Sequence, residues 1–451
     1  MSSDTQEWFA RYALLPGGLA PDVTLEVSGQ HYTRVTARTQ PSPQSRLLPG
    51  VVMPGLANAH SHAYLRALRG RIHAGARAEW AARELQHKLI AKLTPDSLYA
   101  LARAAFAEMA LAGITSVGEF HVVHHNPDGR PYADPNAMGK AIVEAAAQAG
   151  IRLTLFDTLF LSGGLGPDGH YPLGAAQIRF GDASAESWVA RVSTMPETPM
   201  MRLGIGIPSI QCVPRGFLSR ALDVAIGGPQ ARKRGGRLPV HADVSERTED
   251  NEASMGYYGC TPARLLLDEG FIHPSFTAIH ATHVSAQDIT VIGRAKAGVA
   301  FCPSTEQDTG VGIGPVRALL DAGARLALGT DSAFTIDLFD EMRALEMRER
   351  VAAGARGQLG LHGLRQATVA HDTLGWPEAG ALREGSLADI VAVDLDSVRT
   401  AGVDPAQILM TAQAADVREV AVAGRFIVEN GRHVLGDVPS LLSAAIHPLF
   451  S

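Results

Sequence analysis

The chain has few cysteines, no long apolar run and no block of basic residues. Its 451 residues hold only Cys212, Cys260 and Cys302, far apart and without Cys-x-x-Cys spacing. That excludes a sequence-evident thiolate zinc site and suits a reducing compartment. No apolar stretch reaches the ~18 residues of a membrane span. No charged-then-apolar leader follows Met1, so the expectation is a cytoplasmic protein that engages no membrane. A formal charge of −6 without a basic cluster argues against a nucleic-acid partner. No Gly-x-Gly-x-x-Gly follows the first core strand, which speaks against a doubly wound dinucleotide-binding sheet.

What is present is a rhythm. The composition is 46% hydrophobic, ample for a large core. Short β-like segments fill residues 1–50, and an apolar run then ends in His60-Ser61-His62. A polar helical stretch covers 73–96, and a strong helix runs from 97 with Leu98, Leu101, Ala102, Ala105 and Met109 on one face. Strands are then expected over 114–121, 151–157, 201–207, 238–243, 276–280, 299–302 and 326–331, each followed by a helical segment. With the strand ending at His62, eight strand–helix units predict a (β/α)8 TIM barrel over 51–385. The β-like segments after 386 join those of 1–50 in a composite small β-sandwich domain made by both termini.

In such barrels the chemistry sits at the carboxyl ends of the strands. Here those ends carry His60 and His62, Glu119 and His121, Asp157, Ser209 and Gln211, Asp243 and Glu246, His280 and His283, Ser304 to Glu306, and Asp331. Residues i and i+2 of a strand point the same way, so His60 and His62 project together. Two imidazoles with carboxylates suit a divalent metal, which lowers the pKa of a bound water toward about 7. Asp331 is expected as ligand and first proton acceptor, His280 as the group that polarises the substrate or steadies the attacking oxygen, and Glu246 as the proton carrier to a leaving nitrogen. Asp157, His124, His125, Cys212 and Cys302 read as structural, and Glu119 as support for a ligand or a rim carboxylate.

Several runs resemble the amidohydrolase superfamily. These are Pro54-Gly55-Leu56 through His62, Leu328-Gly329-Thr330-Asp331-Ser332 and Gly385-Ser386-Leu387-Ala388-Asp389-Ile390-Val391. Longer runs are most similar to formimidoylglutamate deiminases: His60-Ser61-His62-Ala63-Tyr64, Glu119-Phe120-His121 with His124-His125, 128–135, His280-Ala281-Thr282-His283 and Ser304-Thr305-Glu306. The resemblance implies a zinc-dependent barrel, often a homodimer, that hydrolyses a C=N or C–N bond of a small molecule and releases ammonia.

The sequence departs from that family at defined places. The family pattern after the fifth strand is His-x-His-x-x-Glu, with the second His a ligand; here Asp243 stands in its place, three residues before Glu246. Strand period favours Asp243 as the ligand beside His60, His62 and Asp331. The alternative alignment makes His241 the ligand, with Glu246 five residues on. Of the substrate contacts, Arg83 matches a family arginine, and His121 belongs to a shared motif. Leu65 replaces a Gln, Val122 a Tyr, and Pro208 and Gln211 replace a His and a carboxylate-gripping Arg. Losing that Arg removes a bidentate contact and implies a substrate less acidic than formiminoglutamate. Zinc is the expected ion, with iron or manganese as alternatives. A second reading keeps the fold with another metal or none, and a redox, lyase or cyclising reaction. A third is a non-catalytic binding protein.

Overall fold

The computed structural model describes residues 5–71 and 78–451. Eight strands, Leu56–Ser61, Ile114–His121, Arg152–Thr158, Met201–Ile207, Val240–Val244, Phe276–His280, Gly298–Phe301 and Arg325–Leu328, pair in chain order. All these pairings are parallel. A bridge between Ser61 and Asp331 brings the chain beyond the last strand back to the first, nearly closing the cylinder. The strands are buried at almost every position, as parallel strands covered on both faces must be. The expected TIM barrel is present.

The helices between strands follow local chemistry. Pro95–Leu111 begins at a Thr94 cap whose side chain accepts from the Ser97 N–H, with Pro95 in the first turn. Its buried face is Leu98, Leu101, Ala102, Ala105 and Met109. Of the helical stretch expected over 73–96, residues 72–77 lie outside the described residues and Ala78–Lys92 is helix. Helices Thr248–Tyr258, Pro303–Thr309, Gly360–Thr368 and Val438–Phe450 went unread in the sequence. Thr248–Tyr258 gave no signal because it buries only Ser254.

The terminal segments form one eight-stranded sheet in which Arg46–Pro54 lies between Gln6–Leu15 and Ile390–Val393. Arg46–Pro54 runs past residue 50 before the chain turns at Gly55 into the first barrel strand. Alternation sorts its side chains. Val51, Met53, Val391 and Val393 join the barrel's core, while Val52, Ile390 and Ala392 pack with Trp8, Leu25 and Tyr32 in a second core. A fully buried pair ties sheet to barrel: Arg152 Nε donates to Asp389 Oδ2 at 2.8 Å, and Asp389 Oδ1 also accepts from the Ala423 N–H at 2.7 Å.

Candidate metal centre and active site

The carboxyl ends of the first and eighth strands are held together by backbone. The N–H groups of Thr330 and Asp331 both donate to the His60 carbonyl, and the His62 N–H donates to the Asp331 carbonyl. This bridging sets the side chains. His60 Nε2 lies 3.6 Å and His62 Nε2 3.7 Å from the same oxygen, Asp331 Oδ1. His280 Nε2 reaches the other oxygen, Oδ2, at 3.9 Å. Two of these residues sit in the left-handed region, His280 at φ 65° and Asp331 at φ 38°. Such strain in non-glycine residues persists where the surrounding structure holds it, and it clusters at functional sites.

The electrostatics separate two kinds of histidine. Burial, reinforced by the neighbouring rings, pushes His60 well below the usual imidazole range. Burial likewise brings His62 down to about 4. Both are neutral at physiological pH, the state in which imidazole can ligate a metal. His280 is the opposite. Burial lowers it, but Glu246, Asp331 and Glu306 outweigh that and raise it to about 10. Its Nδ1 faces Glu306 Oε1 at 3.4 Å; Glu306 also accepts from the Cys302 N–H and from Arg348 Nη1 at 2.7 Å. His60, His280 and Asp331 each offer a potential ligand atom, all within 4.8 Å of one another. With carboxylates facing both its nitrogens, His280 is suited to donate protons rather than lone pairs.

Asp243 and Glu246 come from the fifth strand and the turn after it, where Ser245 adopts φ 50°. Burial pushes the Asp243 carboxyl well above the usual carboxylate range, and the charges of Glu246, Asp331 and Asp250 add to it. Its Oδ1 is buried with no hydrogen-bond partner. Burial also raises Asp331, to about 6. The ionic contacts of Asp331 are with the imidazoles of His60, His62 and His280. Two neutral imidazoles thus converge on the under-stabilised Asp331 carboxylate, Asp243 is coupled electrostatically to that same carboxylate, and such donor chemistry fits a divalent cation.

His241 is not part of this set. Its Nε2 hydrogen-bonds the Thr373 carbonyl at 2.9 Å and its ring stacks on Phe156 at 3.7 Å. Glu119 Oε1 accepts from the Ala63 N–H at 2.7 Å, bracing the turn that follows the His pair; burial pushes this carboxyl up to about 8.

The expected substrate contacts are dispersed. Leu65 is buried in the 3₁₀ turn Ala63–Leu68, and Val122 is buried just past the second strand. Arg83 lies exposed on the helix Ala78–Lys92. Gln211 donates through Nε2 to Asp250 Oδ1 at 2.7 Å, and Asp250 Oδ2 accepts from the Arg247 N–H. His170, unread in the sequence, joins the Gln211 carbonyl at 3.0 Å to the Tyr258 hydroxyl at 2.6 Å.

The structure does not bring His121 to the His60–Asp331 centre, a correction to its expected substrate role. Its side chain leaves the barrel on the helix side, where a Cβ on Gly139 of the helix Ala137–Ala149 would lie 3.5 Å from its Nε2. There it joins His124 and Asp157. That cluster already contains its cation. Arg191 binds both Asp157 oxygens at 2.7 and 2.9 Å, and the Trp188 indole N–H donates to one of them.

A model of the amidohydrolase family matches residues 51–427 of the sequence. The chain belongs to that family. This amidohydrolase is 32% identical over 446 residues to a formimidoylglutamate deiminase of Pseudomonas aeruginosa, a match covering 94% of this chain and 95% of that one. It is 27% identical over 403 residues to a 5-methylthioadenosine/S-adenosylhomocysteine deaminase of Syntrophobacter fumaroxidans, covering 87% and 83% of the two chains. Among solved structures, an amidohydrolase from Brucella melitensis matches with a TM-score of 0.90 at 28% identity, covering 99% of this chain and 100% of that one.

Proposed function

We propose that this amidohydrolase is a metal-dependent deaminase that hydrolyses a C=N or C–N bond of a small amidine, imine or amino-substituted molecule and releases ammonia. The observation that carries the reading is the convergence of the His60 and His62 Nε2 atoms on Asp331 Oδ1, with His280 across the same carboxylate. His60, His62, Asp243 and Asp331 would hold the ion. When bound, a divalent ion supplies Lewis acidity that makes water a nucleophile near neutral pH.

The chain's own groups do the rest. Asp331, a carboxylate already raised toward neutrality, takes the proton of the attacking water. His280, fixed by Glu306, donates a hydrogen bond to the attacking oxygen from the opposite nitrogen. Glu246 hands a proton to the leaving nitrogen. Oxygen bonds to carbon, the C–N bond breaks, and nitrogen leaves as ammonia with the protons taken from water.

The substrate differs from formiminoglutamate in this reading. Gln211 supplies no positive charge, and its amide N–H is engaged by Asp250, so the group at that position is neutral and backed by an acid. A neutral or basic molecule fits there better than a dicarboxylate. The test is ammonia release across a panel of amidines, imines and aminated heterocycles that includes formiminoglutamate. Turnover of a neutral or basic member, abolished in His60→Ala together with metal content, supports the reading. Exclusive turnover of formiminoglutamate removes the substrate assignment. No ammonia from any member, or activity and metal unchanged in His60→Ala, removes the function.

A further inference from the structure

We propose that Asp243 turns the metal seat of this amidohydrolase away from zinc and toward a harder divalent ion, manganese(II) or iron(II). The inference rests on the reading of His60, His62, Asp243 and Asp331 as the ion's donors.

Three observations lead to it. Asp243 lies on the inward face of the fifth strand, two residues beyond His241 and nearer the rim. His241 is unavailable, because its Nε2 is bonded to the Thr373 carbonyl and its ring is stacked on Phe156. Asp243 is available, because its Oδ1 is buried without a hydrogen-bond partner. A buried carboxylate oxygen in that condition is costly unless a cation meets it. The fifth strand therefore offers the ion a carboxylate and withholds an imidazole.

The donor count then decides selectivity. Most nitrogen and oxygen sites bind zinc more tightly than manganese(II) or iron(II), so selectivity comes from ligand type and geometry. Imidazole suits zinc; carboxylate oxygen suits manganese, and two histidines with carboxylate suit iron(II). Replacing one neutral nitrogen by an anionic oxygen strengthens the attraction common to all dications and weakens the part that singles out zinc. A carboxylate can also give two oxygens, which favours ions of higher coordination number over the four-coordinate preference of zinc.

The test uses the full chain stripped of metal with a chelator. Manganese(II), iron(II) under anaerobic conditions and zinc(II) are titrated separately in metal buffers, with bound ion counted by mass spectrometry. Wild type, Asp243→His, Asp243→Asn and His60→Ala are compared, and circular dichroism verifies that each variant is folded. Asp243→His is expected to raise the ratio of manganese Kd to zinc Kd by about tenfold or more, and likewise for iron. Asp243→Asn weakens manganese binding by about tenfold or more. Protein isolated from cells given equal supplies of the three ions carries manganese or iron in the wild type and zinc in Asp243→His.

Unchanged ratios in Asp243→His overturn the proposal, as does stoichiometric zinc in wild-type protein from balanced medium. If Asp243→His does not fold, Asp243→Asn decides: manganese affinity equal to wild type places Asp243 outside the seat. The two readings fail differently. If His60→Ala binds ions as wild type does, or wild type binds none, the donor assignment falls and this inference with it. If His60→Ala abolishes binding while both Asp243 variants keep wild-type selectivity, only this inference falls.

Discussion

His241 and Asp243 share one face of the fifth barrel strand, yet only the inner of the two is engaged. His241 Nε2 is bonded to the Thr373 carbonyl at 2.9 Å, whereas Asp243 Oδ1 has no partner. His241→Phe therefore keeps the stacking on Phe156 and loses one buried hydrogen bond, at a cost of about 1–3 kcal/mol. Thermal or urea unfolding measures that cost. Metal content should match wild type, and its loss would restore His241 as the fifth-strand ligand.

Glu246 follows Asp243 by three residues, beyond the left-handed Ser245. In its proposed role as proton carrier to the leaving nitrogen it would act after the ion is bound. Glu246→Gln should lower kcat by about 10²–10⁴ on whichever substrate the panel reveals, with metal stoichiometry unchanged. Loss of the ion instead would show that Glu246 belongs to the seat.

Arg348 touches no reacting atom but holds Glu306, which faces His280. Arg348→Met leaves a buried carboxylate without its arginine and should cost about 3–5 kcal/mol of stability. Its kcat should fall by about tenfold through loss of His280 orientation, with KM little moved. An equal fall from a distant variant of matched stability would reduce Arg348 to a structural role.

Asp182 offers a pH test away from the metal seat. Burial raises its pKa, but hydrogen bonds from His125 and Arg191, with the Arg191 charge, bring it down to about 2. The folded value lies below the unfolded one of about 3.9. The stability it contributes is therefore present above about pH 4 and lost as pH falls toward 2. Asp182→Asn should be about 2–3 kcal/mol less stable than wild type at pH 7, with the gap closing between about pH 4 and 2. Unfolding measured at pH 7, 4 and 3 checks it, and a gap independent of pH would contradict the ion pair.

Much of this architecture was legible because each barrel strand is an apolar run with a polar residue at its end. His60, His62 and Asp331 could be read together from strand period and strand ends. His121 was misplaced by the same rule. It too ends a strand, but strand period puts it on the face opposite Phe120, whose ring lies 5.0 Å from His60 and 5.7 Å from His62. Which face is inward becomes certain only when the neighbours are known. Arg348 and His170 carried no local signal. Each acts on a partner from another strand–helix unit, and such pairings depend on how helices and loops pack. The helix Thr248–Tyr258 was unreadable for a related reason: it rides on the surface and needs no apolar stripe.

The sheet beside the barrel is woven from both ends of the chain, and this sets the order in which the molecule can be completed. The Gln6 side-chain amide donates to the Gly424 carbonyl, 418 residues away, and Arg46–Pro54 pairs with Ile390–Val393. At roughly 5–20 residues per second of synthesis, the early strands wait tens of seconds for their partners. During that interval their edges are open to mispairing. The strand that leads directly into His60 is among them, so the centre is assembled on a segment whose neighbour Ile390–Val393 is made only after the whole barrel.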